Sequence, residues 1–388
     1  MTYDIVCFSH LRWDFVYQRP QHLLSRFSRH HRVYFVEEAE YSDGTPRLDV
    51  RKRGKVNVLV PVLPQSMRGT QQPAIVSWLL QEHLLAESVS TYILWFYTPM
   101  ALPFARTLRP LATVYDCMDE LSAFANAPAG MVEWERELLR HANLVFAGGP
   151  SLFEAKRRLH EHVVEFPSCV DLEHFRKARS ITTEPPDQSS IPHPRLGFYG
   201  VIDERLDIDL VATVARERSD WHIILVGPIF DFKIDPLTLP RSRNIHYLGQ
   251  KSYGTLPAYL AGWDVAILPF ALDESTRFIS PTKTPEYLAA GRPVVSTPIR
   301  DVEHVYGRRS LVATAGTPEE FIRAVERALA EPSSARLSEV DAFLSHSSWD
   351  RTSSAMEMLI GEAIEANRAG QSAAAETPPA VELPEEAA

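Results

Sequence analysis

The chain has 388 residues, 45% hydrophobic and 23% charged, which suits two globular domains and excludes a disordered polypeptide. Its net charge of −10 argues against general nucleic-acid binding. No apolar run nears the roughly 18 residues a membrane span needs. Met1 to His10 lacks the basic-then-apolar order of an export signal. Three scattered cysteines, Cys7, Cys117 and Cys169, fit neither a zinc spacing nor a disulfide framework, so a reducing cytoplasm is expected.

The first part alternates strand and helix patterns. Asp4 to Phe8 reads as a buried strand, and Arg19 to Phe27 has helical spacing with Leu23, Leu24 and Phe27 on one face. Arg32–Val36, Val56–Val62, Tyr92–Tyr97, Thr113–Asp116 and Leu144–Ala147 follow as strands, with a helix predicted over Val132–His141. Ser151 and Glu154 have the spacing of a capping box. Residues 176–194 are polar, proline-rich and without period, and read as a linker between domains at 1–175 and 195–348.

A second alternating series then begins. Strands are expected at Arg195–Tyr199, Trp221–Val226, Ile245–Leu248, Val265–Leu268 and Val294–Thr297. Helices are expected at Leu206–Glu217, Leu256–Ala261 and from Thr317. A last helix over 349–366 is placed to return to the first domain, and the Ala/Glu/Pro stretch 367–388 reads as a disordered tail. Two such runs mean two parallel-sheet α/β domains facing across a cleft, with ligands at the carboxyl ends of the strands. The first 68 residues carry 11 Lys and Arg against 7 Asp and Glu, a mild positive balance that leaves open contact with an anionic membrane face.

The densest chemistry lies in Ser280-Pro-Thr-Lys-Thr-Pro-Glu286 and the segment up to Thr297. Ser280 suits an N-cap, Pro281 the first helical position, and Gly291 the residue after the helix. Free N–H groups, the positive helix end and the Lys283 ammonium would face a phosphate, with Thr282 and Thr284 as further donors. Glu286, one turn on, could accept two sugar hydroxyls. Gly200, Gly227 and Gly249 each end a strand, where backbone can approach a ligand closely, and Arg205 follows the Gly200 turn. The alternatives are a solvated helix carboxylate and a surface lysine. The chain has no G-x-G-x-x-G and no P-loop motif.

With Gly200–Arg205, NIHYLG at 244–249, WDVAILPF at 263–270 and PTKTPEYLAAGRPVVST from Pro281, the chain resembles the GT-B glycosyltransferases, close to family 4. Arg12-Trp13-Asp14 with Gln18-Arg19-Pro20 resembles a bacterial surface-polysaccharide and glycolipid subgroup. The resemblance implies transfer of a sugar from a nucleotide diphosphate sugar to an acceptor hydroxyl, without metal or other cofactor. It implies Lys283 and Arg205 at the diphosphate, Glu286 at the ribose, and the base near Gly227 and Gly249. It assigns the acceptor to the first domain, with Arg12, Trp13, Asp14, Gln18 and Arg19 as binding groups. One position departs from the family pattern: Phe278 stands where a first glutamate is usual, with Asp273 and Glu274 as nearby substitutes. Another is the strand end where the family commonly has histidine. There Asp116, Asp119 and Glu120 are candidates for a general base or an acceptor-orienting group. A nucleotide-sugar epimerase and a non-catalytic nucleotide-sugar-binding subunit are the competing readings.

Overall fold

Strand propensity and burial agree along most of the chain, and the strands they produce fall into two sheets. The computed structural model describes residues 2–124, 126–230, 234–331 and 336–376. In the first half the strands are β1 (Asp4–Phe8), β2 (Val33–Val36), β3 (Glu40–Tyr41), β4 (Arg47–Arg53), β5 (Val56–Leu63), β6 (Tyr92–Phe96), β7 (Thr113–Cys117), β8 (Leu144–Ala147) and β9 (Val163–Glu165). In the second half they are β10 (Arg195–Tyr199), β11 (His222–Val226), β12 (Ile245–Gly249), β13 (Val265–Leu268), β14 (Val294–Ser296) and β15 (Ala313–Thr314).

The second sheet runs β12-β11-β10-β13-β14-β15, all parallel. This is the doubly wound order 3-2-1-4-5-6. The first sheet repeats it as β5-β2-β1-β6-β7-β8, extended by β3 and β9 at its edges. In such a sheet the chain departs in opposite directions beside the first strand, which opens a crevice at its carboxyl end. That point falls at Phe8 in the first sheet and at Tyr199 in the second. Strands buried on both faces read as continuous apolar runs, and β1, β6 and β8 are buried at every position. The polar strand β4 (RLDVRKR) pairs antiparallel with β5 and is largely exposed. Its charged residues gave no strand signal in the sequence.

Helix Arg19–Phe27 forms as expected, with Gln18 as its cap: Gln18 N–H donates to Gln21 Oε1 at 3.0 Å. Ser151 does not cap its helix. Helix Pro150–Lys156 starts after Gly149, and the Ser151 hydroxyl turns instead to Asp301 of the second half.

Residues 176–194 differ from a free linker. Ala178 and Ile191 are buried with the second-sheet core, and Gln188 is fully buried, with its amide donating to Tyr259 O at 3.0 Å. Polar composition concealed this, because the segment binds through hydrogen bonds as much as through apolar contact. The last helix runs from Trp349 through Glu376, past the expected end at 366. It buries Trp349, Met356, Ile360 and Ile364 in the first-sheet core. Residues 377–388 of the expected tail lie outside the described residues. No described helix is long and apolar enough to cross a membrane.

Candidate functional site

The carboxyl ends of β1 and β10 open onto one cleft of about 1150 Å³ between the two sheets. The first half lines it from the turns after β1, β6 and β7. The second half lines it with Tyr199, Gly200, Asp203, Arg205, Gly227, Gln250, Tyr253, Thr282, Lys283 and Glu286, among others.

Close backbone approach builds the floor on the second side. Gly200 and Gly227 both have φ of 149°, a region that side chains rarely adopt. A Cβ on Gly227 would sit 1.8 Å from Gly200 O, and one on Gly200 would sit 2.2 Å from Lys283 Cε. Lys283 therefore lies against bare backbone, with its ammonium 6.0 Å from the centre of the Phe198 ring. Gly249 does not line the cleft. Its carbonyl accepts from Gly227 N–H at 2.9 Å, and its neighbours Gln250 and Lys251 reach the cavity.

The helix that carries Lys283 is shorter than its sequence suggested. It spans Lys283–Ala289, and its N-cap is Thr282, with helical backbone angles and no side-chain cap bond. Ser280 is not the cap. Pro281 lies outside the helix, so the hydroxyl of Ser280 is two residues ahead of the cap position from which the first-turn N–H groups are reached. Ser280 instead faces the first half, where a Cβ added to Gly149 would come within 2.7 Å of the Ser280 Cβ. Thr284 is fully buried and its hydroxyl has no hydrogen-bond partner; it does not line the cleft. Thr282 does.

Four charged groups meet around Lys283. Burial lowers the Lys283 pKa, and the Arg205 guanidinium lowers it further, while Glu286, Asp203 and Asp119 act in the opposite direction. Arg205 is gripped by Asp203, with Nε–Oδ1 at 2.9 Å and Nη2–Oδ2 at 2.6 Å. Burial disfavours its charge, but the Asp203 hydrogen bonds and carboxylate keep its pKa above the ordinary value. Glu286 is buried, and burial pushes its pKa up to about 7 against the Tyr199 hydrogen bond and the Lys283 charge. Tyr199 OH donates to Glu286 Oε2. Tyr199 and Asp203, the two residues that set these groups, were not singled out in the sequence. Their adjacency to Gly200 and Arg205 was the available signal.

The first half is organised differently. Asp116 and Arg19, expected as a catalytic acid and an acceptor-binding group, are 0% and 1% exposed and bind one another. Arg19 Nη2 lies 2.8 Å from Asp116 Oδ1, and Arg19 Nη1 donates to Phe166 O at 2.7 Å. A buried carboxylate is stabilised by a guanidinium that can meet both its oxygens, so the two residues hold the helix from Arg19 against β7 and leave the cleft. Glu120 is likewise occupied: Lys156 Nζ lies 2.7 Å from its Oε2, and Ser122 OH donates to it at 2.8 Å. Of the three acids, Asp119 lines the cleft.

Arg12, Trp13, Asp14 and Gln18 also line the cleft. Arg12 pairs with Glu37 at 3.0 Å, and Asp14 with Arg53 at 2.6 Å. Trp13 is no open platform: it is 9% exposed and packs edge-on to Phe35 at 5.1 Å. Asp273 and Glu274 do not reach the cleft. Asp273 accepts from Ser275 and Thr276, and Glu274 pairs with Arg277 at 3.2 Å.

Two seams flank the cavity. At one, Asp301 accepts from the Ser151 N–H at 3.1 Å and from its hydroxyl. Burial pushes the Asp301 pKa up to about 6 against these bonds. At the other, Tyr17 meets Tyr253 at 4.6 Å between ring centres, and Gln250 Nε2 donates to Phe15 O at 2.6 Å.

Residues 193–331 match the family described as Glycosyl transferases group 1. The relative named "Putative teichuronic acid biosynthesis glycosyltransferase TuaH", from Bacillus subtilis (strain 168), is 26% identical over 238 residues, which is 56% of this chain. The match spans 58% of that relative's length, less than two thirds. Among solved structures, sucrose-phosphate synthase from Thermosynechococcus elongatus superposes with a TM-score of 0.69 at 14% identity, covering 94% of this chain and 100% of that one. The E. coli trehalose-6-phosphate structure bound with UDP-2-fluoro glucose gives 0.67 at 13% identity, covering 93% and 99%. An alpha,alpha-trehalose 6-phosphate synthase from Burkholderia multivorans gives 0.66 at 13%, covering 98% and 100%.

Proposed function

The chain has the GT-B fold, with a glycosyl transferases group 1 region at residues 193–331, and from that premise we propose a glycosyltransferase that takes its sugar from a nucleotide diphosphate donor. The observation that carries this reading is the seating of Lys283 against the bare backbone of Gly200, one helical turn from the buried Glu286. The ammonium and the Arg205 guanidinium face the diphosphate and offset the charge that grows on it as the bond to the sugar breaks. Because Lys283 sits in a half-enclosed site beside another cation, an incoming dianion raises its pKa and secures its charge. Glu286 accepts from the ribose hydroxyls in its ionised form.

The acceptor hydroxyl enters from the first half. Of the three acids that follow β7, Asp119 is the one that lines the cleft, and it orients the hydroxyl and receives its proton as the new glycosidic bond forms. Arg12 and Gln18 hold the rest of the acceptor. The acceptor is a glycan or glycolipid under assembly, and the Bacillus relative, named for teichuronic acid biosynthesis, favours a polysaccharide pathway. No metal or other cofactor is required, since two side-chain cations already meet the diphosphate.

The test is donor binding followed by turnover. Melting is measured against UDP-, GDP-, dTDP- and ADP-sugars, because a bound donor raises apparent stability by mass action. At least one should raise the melting temperature in the native chain and fail to do so in Lys283→Ala. A flat response to all four would sink the reading. Because ionised Glu286 is the form that accepts, donor affinity should rise as pH goes from 6 to 8, and this rise should vanish in Glu286→Gln.

A further inference from the structure

The turn after β7 carries Asp119 to the cleft wall, and a buried network grips that turn from behind. Lys156, the last residue of helix Pro150–Lys156, is 2% exposed and does not line the cleft. Its ammonium lies 2.7 Å from Glu120 Oε2 and 2.7 Å from Glu135 Oε1. Glu135, on helix Met131–His141, also accepts from the Tyr115 OH of β7 at 2.7 Å. The other oxygen of Glu120 accepts from the Ser122 hydroxyl at 2.8 Å. One lysine thus joins the turn to β7 and to two helices.

Backbone packing holds the same turn from a second side. Gly148 N–H donates to Cys117 O at 2.8 Å, and a Cβ on Gly148 would sit 3.0 Å from Met118 Cα. The Cys117 thiol donates to Asp119 O at 3.5 Å, and burial pushes its pKa up, so it stays the protonated donor. Asp119 therefore has a fixed neighbour on each side, Met118 and Glu120. Across the cleft its carboxylate acts on Arg205 and Lys283, favouring the charged form of each against burial.

Stability alone does not call for such a network. Apolar side chains of similar size often fill a core as well as buried ions do, because desolvation offsets much of the attraction between charges. What the satisfied network adds is a single geometry: the ammonium meets both carboxylates in one arrangement of turn and helices. A reacting group needs that backing, since a displacement of about 1 Å undoes its alignment.

We propose that Lys156 is a positioning residue for Asp119: it holds Glu120, and through Glu120 the turn that presents the Asp119 carboxylate to the cleft. This rests on the reading of Asp119 as the acid that meets the acceptor hydroxyl. It adds that the place of that acid is set by a lysine that touches neither substrate.

The experiment is titration of the Asp119 carboxyl in the full chain by carbon-13 NMR, with the signal assigned by its absence from Asp119→Asn. Arg205 and Lys283 favour the ionised form of a carboxylate held opposite them, so in Lys156→Met, where the turn is released, the Asp119 midpoint should rise by at least about half a pH unit. Glu120→Met keeps the Lys156–Glu135 pair and should raise the midpoint too. Loss of the Glu120 charge by itself would lower it, so a rise in this variant reports movement of the turn. Where Lys156→Met fails to fold, Glu120→Met decides. A purely structural lysine predicts a lower melt with the Asp119 midpoint unmoved, and an unmoved or lowered midpoint in Glu120→Met overturns the proposal. The role of Asp119 in transfer is judged separately: Asp119→Asn with native turnover removes that role and leaves the titration result standing.

Discussion

The two sides of the cleft use similar residues for opposite ends. On the second side Lys283, Arg205 and Glu286 all reach the cavity, and each is held by a close neighbour: Gly200 backbone, Asp203 and Tyr199. On the first side Arg19, Asp116 and Glu120 are as charged and as near a strand end, yet they neutralise partners inside the domain. A charged residue is available for ligand when its nearest counter-charge leaves one face open, and it is structural when that counter-charge covers it. Arg205 and Arg19 mark the difference. Both are forked onto an aspartate, but 24% of the Arg205 side chain is exposed at the cleft wall against 1% for Arg19.

This contrast can be broken by substitution. Arg19→Met leaves Asp116 buried without its partner and should cost about 3–5 kcal/mol of stability, read from urea denaturation. An Asp116→Asn variant with native stability but no turnover would return Asp116 to the chemistry and dissolve the contrast. Lys283→Ala should lower kcat by about 10²–10³ with little change in the melt, the loss typical of one charge-stabilising donor. A variant near the native rate would mean that the open face of Lys283 is idle.

Glu286 offers a finer test through pH. Its folded pKa of about 7 exceeds the ordinary 4.5, so the folded state holds a proton that the unfolded state has released. Stability contributed by this group is therefore lost as pH rises from about 4.5 through 7. The melting temperature of the native chain should fall more than that of Glu286→Gln over this interval; parallel curves would place Glu286 in ordinary solvent. The smallest effect is expected at the seam. Ser151→Ala removes a hydroxyl bond to buried Asp301 and should cost about 1 kcal/mol, measured by thermal or chemical melting.

What could be read from the sequence follows how far apart the interacting residues lie. β10, the helix Leu256–Ala261 and β13 sit where apolar runs and helical spacing put them, and the Gly200 and Gly227 turns were marked by a glycine at a strand end. Lys283 and Glu286 were legible because three residues on a helix fix their geometry locally. The Arg19–Asp116 pair spans 97 residues and the Ser151–Asp301 contact 150, and no pattern within either segment names its partner. The Ser280 cap was misplaced because the helix begins at Lys283, two residues after the Pro281 start that capping rules suggest.

The returning C-terminal helix has a mechanical consequence. The chain passes from the first core to the second between Cys169 and Val170, and back between Leu344 and Trp349. The two passages touch, since Cys169 Sγ and Thr352 Oγ1 are 3.1 Å apart. Trp349 also stacks on His22 of the first half, with ring centres 4.7 Å apart. The two halves are therefore tethered at one place, where both connections of the chain lie side by side.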